Sequence, residues 1–155
     1  MSSVSSTYGF VFVMLLSLSL LSGCRSSQPG GNQAQIEQRL LQQFEQWRGV
    51  PYRLGGFTQS GVDCSAFVMN VYKNGFNVTI PRTTGDQMNA GVAVNPRQLM
   101  VGDMVFFRTG RNTMHVGIVM RNGRFMHAST SQGVIMDDLN QKYWRDRFIR
   151  ARRVL

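Results

Sequence analysis

The stretch Gly61-Val62-Asp63-Cys64-Ser65-Ala66-Phe67-Val68-Met69-Asn70-Val71-Tyr72-Lys73-Asn74-Gly75 constrains the fold more than any other part of the chain. Asp63 is an N-cap residue type placed just before an apolar run, and Asn74-Gly75 is a stop signal, so a short helix is expected between them. Ala66, Phe67, Val68, Met69, Val71 and Tyr72 make it apolar on nearly every side. Such a helix must be buried, and the remaining chain must wrap it. Cys64 then takes the first helical position, where unpaired N–H groups and the helix dipole favour an anion. A thiol there is expected to ionise more readily than in solution, and the thiolate is the nucleophilic form. The alternative is that Cys64 is simply a small buried hydrophobe.

The only other cysteine, Cys24, lies in a segment of a different kind. The first 23 residues contain no Lys, Arg, Asp or Glu, and Phe10 to Leu21 forms a run of 12 residues that suits the apolar region of a secretory signal better than a membrane span. The run ends in Leu21-Ser22-Gly23-Cys24, which resembles the lipobox of bacterial lipoproteins, although no positive charge precedes it. That resemblance implies a signal over 1–23, lipid on Cys24 and a tether over 24–32. Arg25 in place of an Asp implies retention at the outer membrane, facing the periplasm. A plain N-terminal anchor is the alternative. With Cys24 lipidated, Cys64 has no disulfide partner. A lone thiol exported to an oxidising compartment is a liability unless it has chemistry to perform.

At 155 residues, 43% hydrophobic and 16% charged, the chain suits one globular domain, here 33–155. The net charge of +9 comes almost wholly from arginine and points to anionic partners: nucleic acid, acidic lipid or a carboxylate-rich polymer. Ser26 to Gln33 reads as polar tether, followed by a helix capped by Asn32, with Ile36, Leu40, Phe44 and Trp47 on one face and Gly49 at its end. Tyr52 to Gly56 is a loop. Phe76, Val78 and Ile80 alternate as a short edge strand before Pro81, and Thr83 to Ala90 reads as a short helix. Strands are expected over 103–109, 114–120, 124–129, 133–136 and 148–155, with a brief helical segment capped by Asp138. Helices first and antiparallel strands second give an α+β domain with helices on one face of the sheet.

The only histidines, His115 and His127, fall in one hairpin. A two-residue turn at Asn122-Gly123 would put them on opposite faces. A three-residue loop, Arg121-Asn122-Gly123, pairs Met120 with Arg124 and puts both rings on one face as diagonal neighbours, with Cα atoms about 7–8 Å apart. A bulge elsewhere would restore the same phase. Both rings are then expected to point at the end of the cysteine helix. Either nitrogen of His115 would take the Cys64 proton, and His127 would hold the tautomer of His115. The Cys64 N–H would donate to a developing oxyanion. Tyr52 is either a second donor or an ordinary loop aromatic.

These residues carry a resemblance to the NlpC family of bacterial cell-wall cysteine peptidases, which have a compact papain-like fold. The matching stretches are Pro51-Tyr52-Arg53-Leu54-Gly55-Gly56, Gly61 to Val68, Pro81-Arg82-Thr83, Val101 to Phe107, His115-Val116-Gly117-Ile118 and Phe125-Met126-His127-Ala128-Ser129. They span the whole predicted domain; Met100-Val101-Gly102-Asp103 departs from the usual Leu-Pro-Gly-Asp at a turn. The resemblance implies Cys64 as nucleophile, His115 as base, His127 as third member and Tyr52 as oxyanion donor, with Asp63 and Ser65 shaping the substrate site. It implies no cofactor and no metal: Cys64, His115 and His127 lack an apparent fourth ligand. Its substrates are peptidoglycan stem peptides, cut beside D-glutamate or diaminopimelate, whose carboxylates suit the arginine excess. Arg145, Arg147, Arg150, Arg152 and Arg153 could hold such anions, face lipid headgroups, or keep a strand edge charged.

A monomer is expected. Two other classes compete: an envelope amidase or acyltransferase on the same scaffold, and a catalytically silent peptidoglycan binder. Nucleic acid is disfavoured by the export signal and by the lack of aromatic-basic interleaving.

Overall fold

The computed structural model describes residues 29–155. The signal segment, Cys24 and the start of the tether lie outside them. The first helix, α1 (Pro29–Trp47), begins inside the expected tether, and Asn32 sits within it instead of capping it; Pro29 opens it, with the φ of proline already set for a first helical turn. Leu40, Phe44 and Trp47 are buried from the expected stripe. They press on α2 (Cys64–Phe76), where Trp47 meets Phe67 edge-on with centroids 6.2 Å apart. Between the helices, β1 (Phe57–Thr58) and β2 (Gly61–Val62) form a small hairpin that delivers the chain to Asp63.

Helix α2 ends two residues later than its Asn-Gly signal implies. Asn77, not Gly75, adopts the left-handed conformation (φ 56°), and its N–H closes the helix on Lys73 and Tyr72. Gly75 instead lies in a close approach to α1, where an added Cβ would stand 3.1 Å from Gln43 Cγ. Residues 77–80 form no strand, because no partner strand runs beside them; Ile80 packs into the core from a loop. A single turn, α3 (Thr84–Gln87), follows and is capped by Thr83.

The second half is one six-stranded antiparallel sheet. Its strands are β3 (Val92–Val94), β4 (Met104–Arg108), β5 (Met114–Val119), β6 (Arg124–Ser129), β7 (Gly133–Asp138) and β8 (Phe148–Arg153), in spatial order β3-β8-β4-β5-β6-β7. Strand β3 was not expected from the sequence, and β7 runs two residues further than expected. Asp138 therefore ends a strand, while the last short helix, α4 (Lys142–Arg145), starts after Gln141. Both faces of the sheet are buried. Met104, Phe106, Val116, Ile118, Met126 and Ala128 face the α1–α2 layer. Val105, Phe107, Val119 and Phe125 face Trp144 of α4.

Three polar anchors tie the layers together. The phenol of Tyr72, fully buried on α2, donates to the Gly102 carbonyl at 2.6 Å. Arg153 at the end of β8 pairs with buried Asp103 through bonds of 2.7 and 2.8 Å. Arg152 donates to the Asn89 and Ala90 carbonyls. Two of the five C-terminal arginines are thus engaged inside the fold. Tyr72→Phe removes a buried donor while keeping the ring, so urea unfolding is expected to show a loss of about 1–3 kcal/mol with an unchanged m-value.

Candidate active site

The cysteine helix starts as the sequence requires. Asp63 is extended (φ −88°, ψ 170°), and its Oδ1 accepts from the Ala66 N–H at 2.8 Å, which caps α2. Cys64 is the first helical residue, and its own N–H has no acceptor among the described residues. Asp63 is also held by the Gly55 N–H (3.1 Å), the Ser65 hydroxyl (2.9 Å) and both Nη atoms of Arg82 (3.0 and 2.7 Å). Burial alone would raise this carboxyl, but the bonds from Arg82, Ala66 and Ser65 outweigh it and hold it below the usual range. The polar atoms of Asp63 and Ser65 are therefore engaged within the protein, because Arg82 occupies them. Arg82 is the member of this group that reaches the surface.

Around the sulfur, the main surprise is its environment. Burial pushes the Cys64 thiol up, and bonds from the Thr84 hydroxyl and from the Val116 and Ser65 N–H groups only partly offset this. Burial of Cys64, a residue 6% exposed, thus opposes the easy ionisation expected of a helix N-terminus. Thr84, which the sequence did not single out, stands 3.7 Å from Sγ. Tyr52 bridges to Val62 and lies near enough that ionising Cys64 or Asp63 would raise its phenol further, after the larger effect of burial. Its hydroxyl makes no hydrogen bond among the described residues.

The hairpin carries the histidines in the expected register. Met120 N–H donates to the Arg124 carbonyl, Val119 pairs with Phe125 and Ile118 with Met126. The turn itself is Asn122-Gly123, both left-handed (φ 58° and 70°), and the extra residue is taken up at Arg121. Both rings share a face and touch: His115 Nε2 lies 2.8 Å from His127 Nδ1. Their face, however, is the Trp144 side of the sheet and not the α2 side. Strand alternation sends Val116 to the helices and its neighbour His115 the other way. The β5–β6 ladder pairs Ile118 with Met126 and Val119 with Phe125, and the Val116 N–H lies near enough the sulfur to favour its ionised form. No hydrogen bond joins Cys64 to His115; His115 Nδ1 has no partner among the described residues. Gly117 is required here, since a Cβ would lie 2.5 Å from the Phe125 ring and 3.1 Å from His127 Cβ.

Two further residues complete the cluster. Asp137 Oδ2 lies 3.1 Å from His127 Nε2 and accepts from the Trp144 indole N–H at 3.1 Å. Trp144 stacks on His115 with centroids 5.6 Å apart. Burial lowers the His115 pKa to about 3, helped by His127, and lowers His127 despite the opposing pull of Asp137. Burial thus disfavours the charged forms of both imidazoles and of the thiol.

A family model described as the NlpC/P60 family matches residues 49–153. The Escherichia coli K12 protein named "Murein DD-endopeptidase MepS/Murein LD-carboxypeptidase" is 45% identical over 120 residues, covering 77% of this chain; the chain spans 64% of that protein's length. The E. coli K12 protein named "Probable endopeptidase NlpC" is 38% identical over 150 residues, covering 92% of this chain and 97% of that one. Among solved structures, a Staphylococcus aureus NLP/P60 protein described as similar to lipoprotein aligns with a TM-score of 0.69 at 31% identity, covering 77% of this chain and 41% of the other.

Neutral burial of the histidines carries a pH signature. Unfolded histidines titrate near 6.5, so the unfolded chain binds more protons below that value; the contribution is intact above 6.5 and is lost as pH falls towards 3. For His115 the loss is on the order of 2 kcal/mol by pH 5. Urea unfolding at pH 7.5 and pH 5 is expected to show it, and His115→Gln is expected to reduce it.

Proposed function

The chain belongs to the NlpC/P60 family, and from that membership and the site's geometry we propose that it is a cysteine endopeptidase of the cell wall, hydrolysing amide bonds in peptidoglycan stem peptides beside D-glutamate or diaminopimelate. One observation carries the reading: His115 is bonded through Nε2 to His127, which leaves Nδ1 as the nitrogen able to take the thiol proton. Cys64 is the nucleophile. Its S–H proton passes to His115 Nδ1 while sulfur bonds to the substrate carbonyl carbon. The oxyanion is met by the Cys64 N–H, with the Tyr52 phenol as second donor. The imidazolium returns its proton to the leaving amine, the C–N bond breaks, and a thioester remains. Water, deprotonated by His115, then attacks the thioester and frees the thiol and the carboxylate product.

The apolar leader and Leu21-Ser22-Gly23-Cys24 support a lipid anchor on Cys24 and a place on the periplasmic face of the outer membrane. Exposed Arg145 and Arg150, which are not engaged in internal ion pairs, suit a substrate rich in carboxylates. A monomer without cofactor is sufficient for this chemistry. The test uses intact sacculi with muropeptide products identified by mass. Wild-type protein is expected to release stem-peptide cleavage products, and Cys64→Ala to be slower by about 10³-fold or more with unchanged circular dichroism. Equal digestion by Cys64→Ala would overturn the reading.

A further inference from the structure

The His115–His127 pair does not end at His127. In the β6–β7 ladder His127 pairs with Ile135 and Phe125 with Asp137, so Asp137 is the diagonal same-face neighbour of His127. From there its Oδ2 reaches His127 Nε2 and the Trp144 indole N–H, each at 3.1 Å. An indole N–H only donates and a carboxylate only accepts, so this oxygen acts as acceptor to both. Trp144 is 7% exposed and lies against both rings, with centroids 5.6 Å from His115 and 5.1 Å from His127, and so shields their mutual bond from water.

We propose that Asp137, clamped by Trp144, is a positioning residue that sets the tautomer of both histidines and so selects His115 Nδ1 as the base. The inference rests on the cysteine-peptidase reading above. Asp137 accepts, so His127 carries its hydrogen on Nε2 and offers the lone pair of Nδ1. His115 Nε2, 2.8 Å away, must then donate, and its Nδ1 is left with a lone pair. When Nδ1 takes the Cys64 proton, the ring becomes a cation in a site with little water. The Asp137 charge, one ring away, stabilises it.

The surroundings leave Asp137 to this task. It borders a cavity of about 300 Å³ whose other lining is hydroxyl, amide and aromatic, including Thr109, Ser129, Ser131, Gln141 and Tyr143, and holds no arginine or lysine. The groups facing the carboxylate are His127 from β6, His115 behind it on β5, and Trp144 with Tyr143 from α4. Neighbouring Asp138 turns the other way, onto Asn140.

The test has two arms. In wild-type protein, ¹⁵N correlation spectra at pH 7.5 are expected to show both rings as Nε2–H tautomers; an Nδ1–H tautomer at either ring overturns the proposal, and this readout needs no substrate. In the kinetic arm, Asp137→Leu removes the acceptor of both N–H groups, so nothing holds the His127 hydrogen on Nε2. On muropeptide substrate it is expected to lower kcat by about 10²–10⁴-fold with little change in KM, to alter the pH profile, and to have no further effect in a His127→Ala background. Asp137→Glu is expected to recover part of the loss. An Asp137→Leu enzyme within threefold of wild type, with the same pH profile, overturns the proposal. Digestion that survives Cys64→Ala points instead to failure of the peptidase reading, whatever Asp137 does.

Discussion

The carboxylate of Asp63 fixes the geometry on which the site depends. It caps α2, receives the Gly55 N–H from the loop that carries Tyr52, and holds Ser65 and Arg82. Three separate stretches of chain are thereby locked around the first turn of one helix, with Cys64 as the next residue. Removing one partner of such a group would leave a buried charge uncompensated, a loss larger than the value of any single bond. The proposed oxyanion donors, Cys64 N–H and Tyr52, both sit on segments that this residue ties down.

Burial then decides the chemistry. The dipole and free N–H groups of a helix start favour a thiolate, but only as a partial charge. Taking a thiol out of water opposes ionisation, and burial is the largest influence raising the Cys64 pKa. The same loss of water keeps His115 and His127 neutral. In the proposed mechanism the proton moves as a substrate carbonyl arrives to receive the negative charge.

Much of this was legible in the sequence. Asp63 as cap, Cys64 as first helical residue and the shared face of His115 and His127 all follow from local rules that tertiary contacts did not disturb. Which face the histidines take was not legible. Polarity identifies a buried face only when the other face meets water, and here Val116, Ile118, Val119 and Phe125 are buried on alternating sides. Asp137 was missed because the strand was read as ending at Met136; extended by one residue, alternation alone would have set it beside His127. Thr84 and strand β3 were invisible for another reason, since each is defined by a partner far away in the chain. The Asn74-Gly75 stop misled because that glycine answers to the approach of α1 and not to helix termination.

If burial governs Cys64, the thiol rests neutral and becomes a nucleophile only in the company of substrate. The most direct measurement is the pH dependence of Cys64 alkylation by iodoacetamide in substrate-free protein, with Cys64→Ala as blank. A midpoint above the ordinary cysteine value of about 8.5 is the expected result. A midpoint below 7 would mean a thiolate–imidazolium pair already formed in the resting site and would contradict the account.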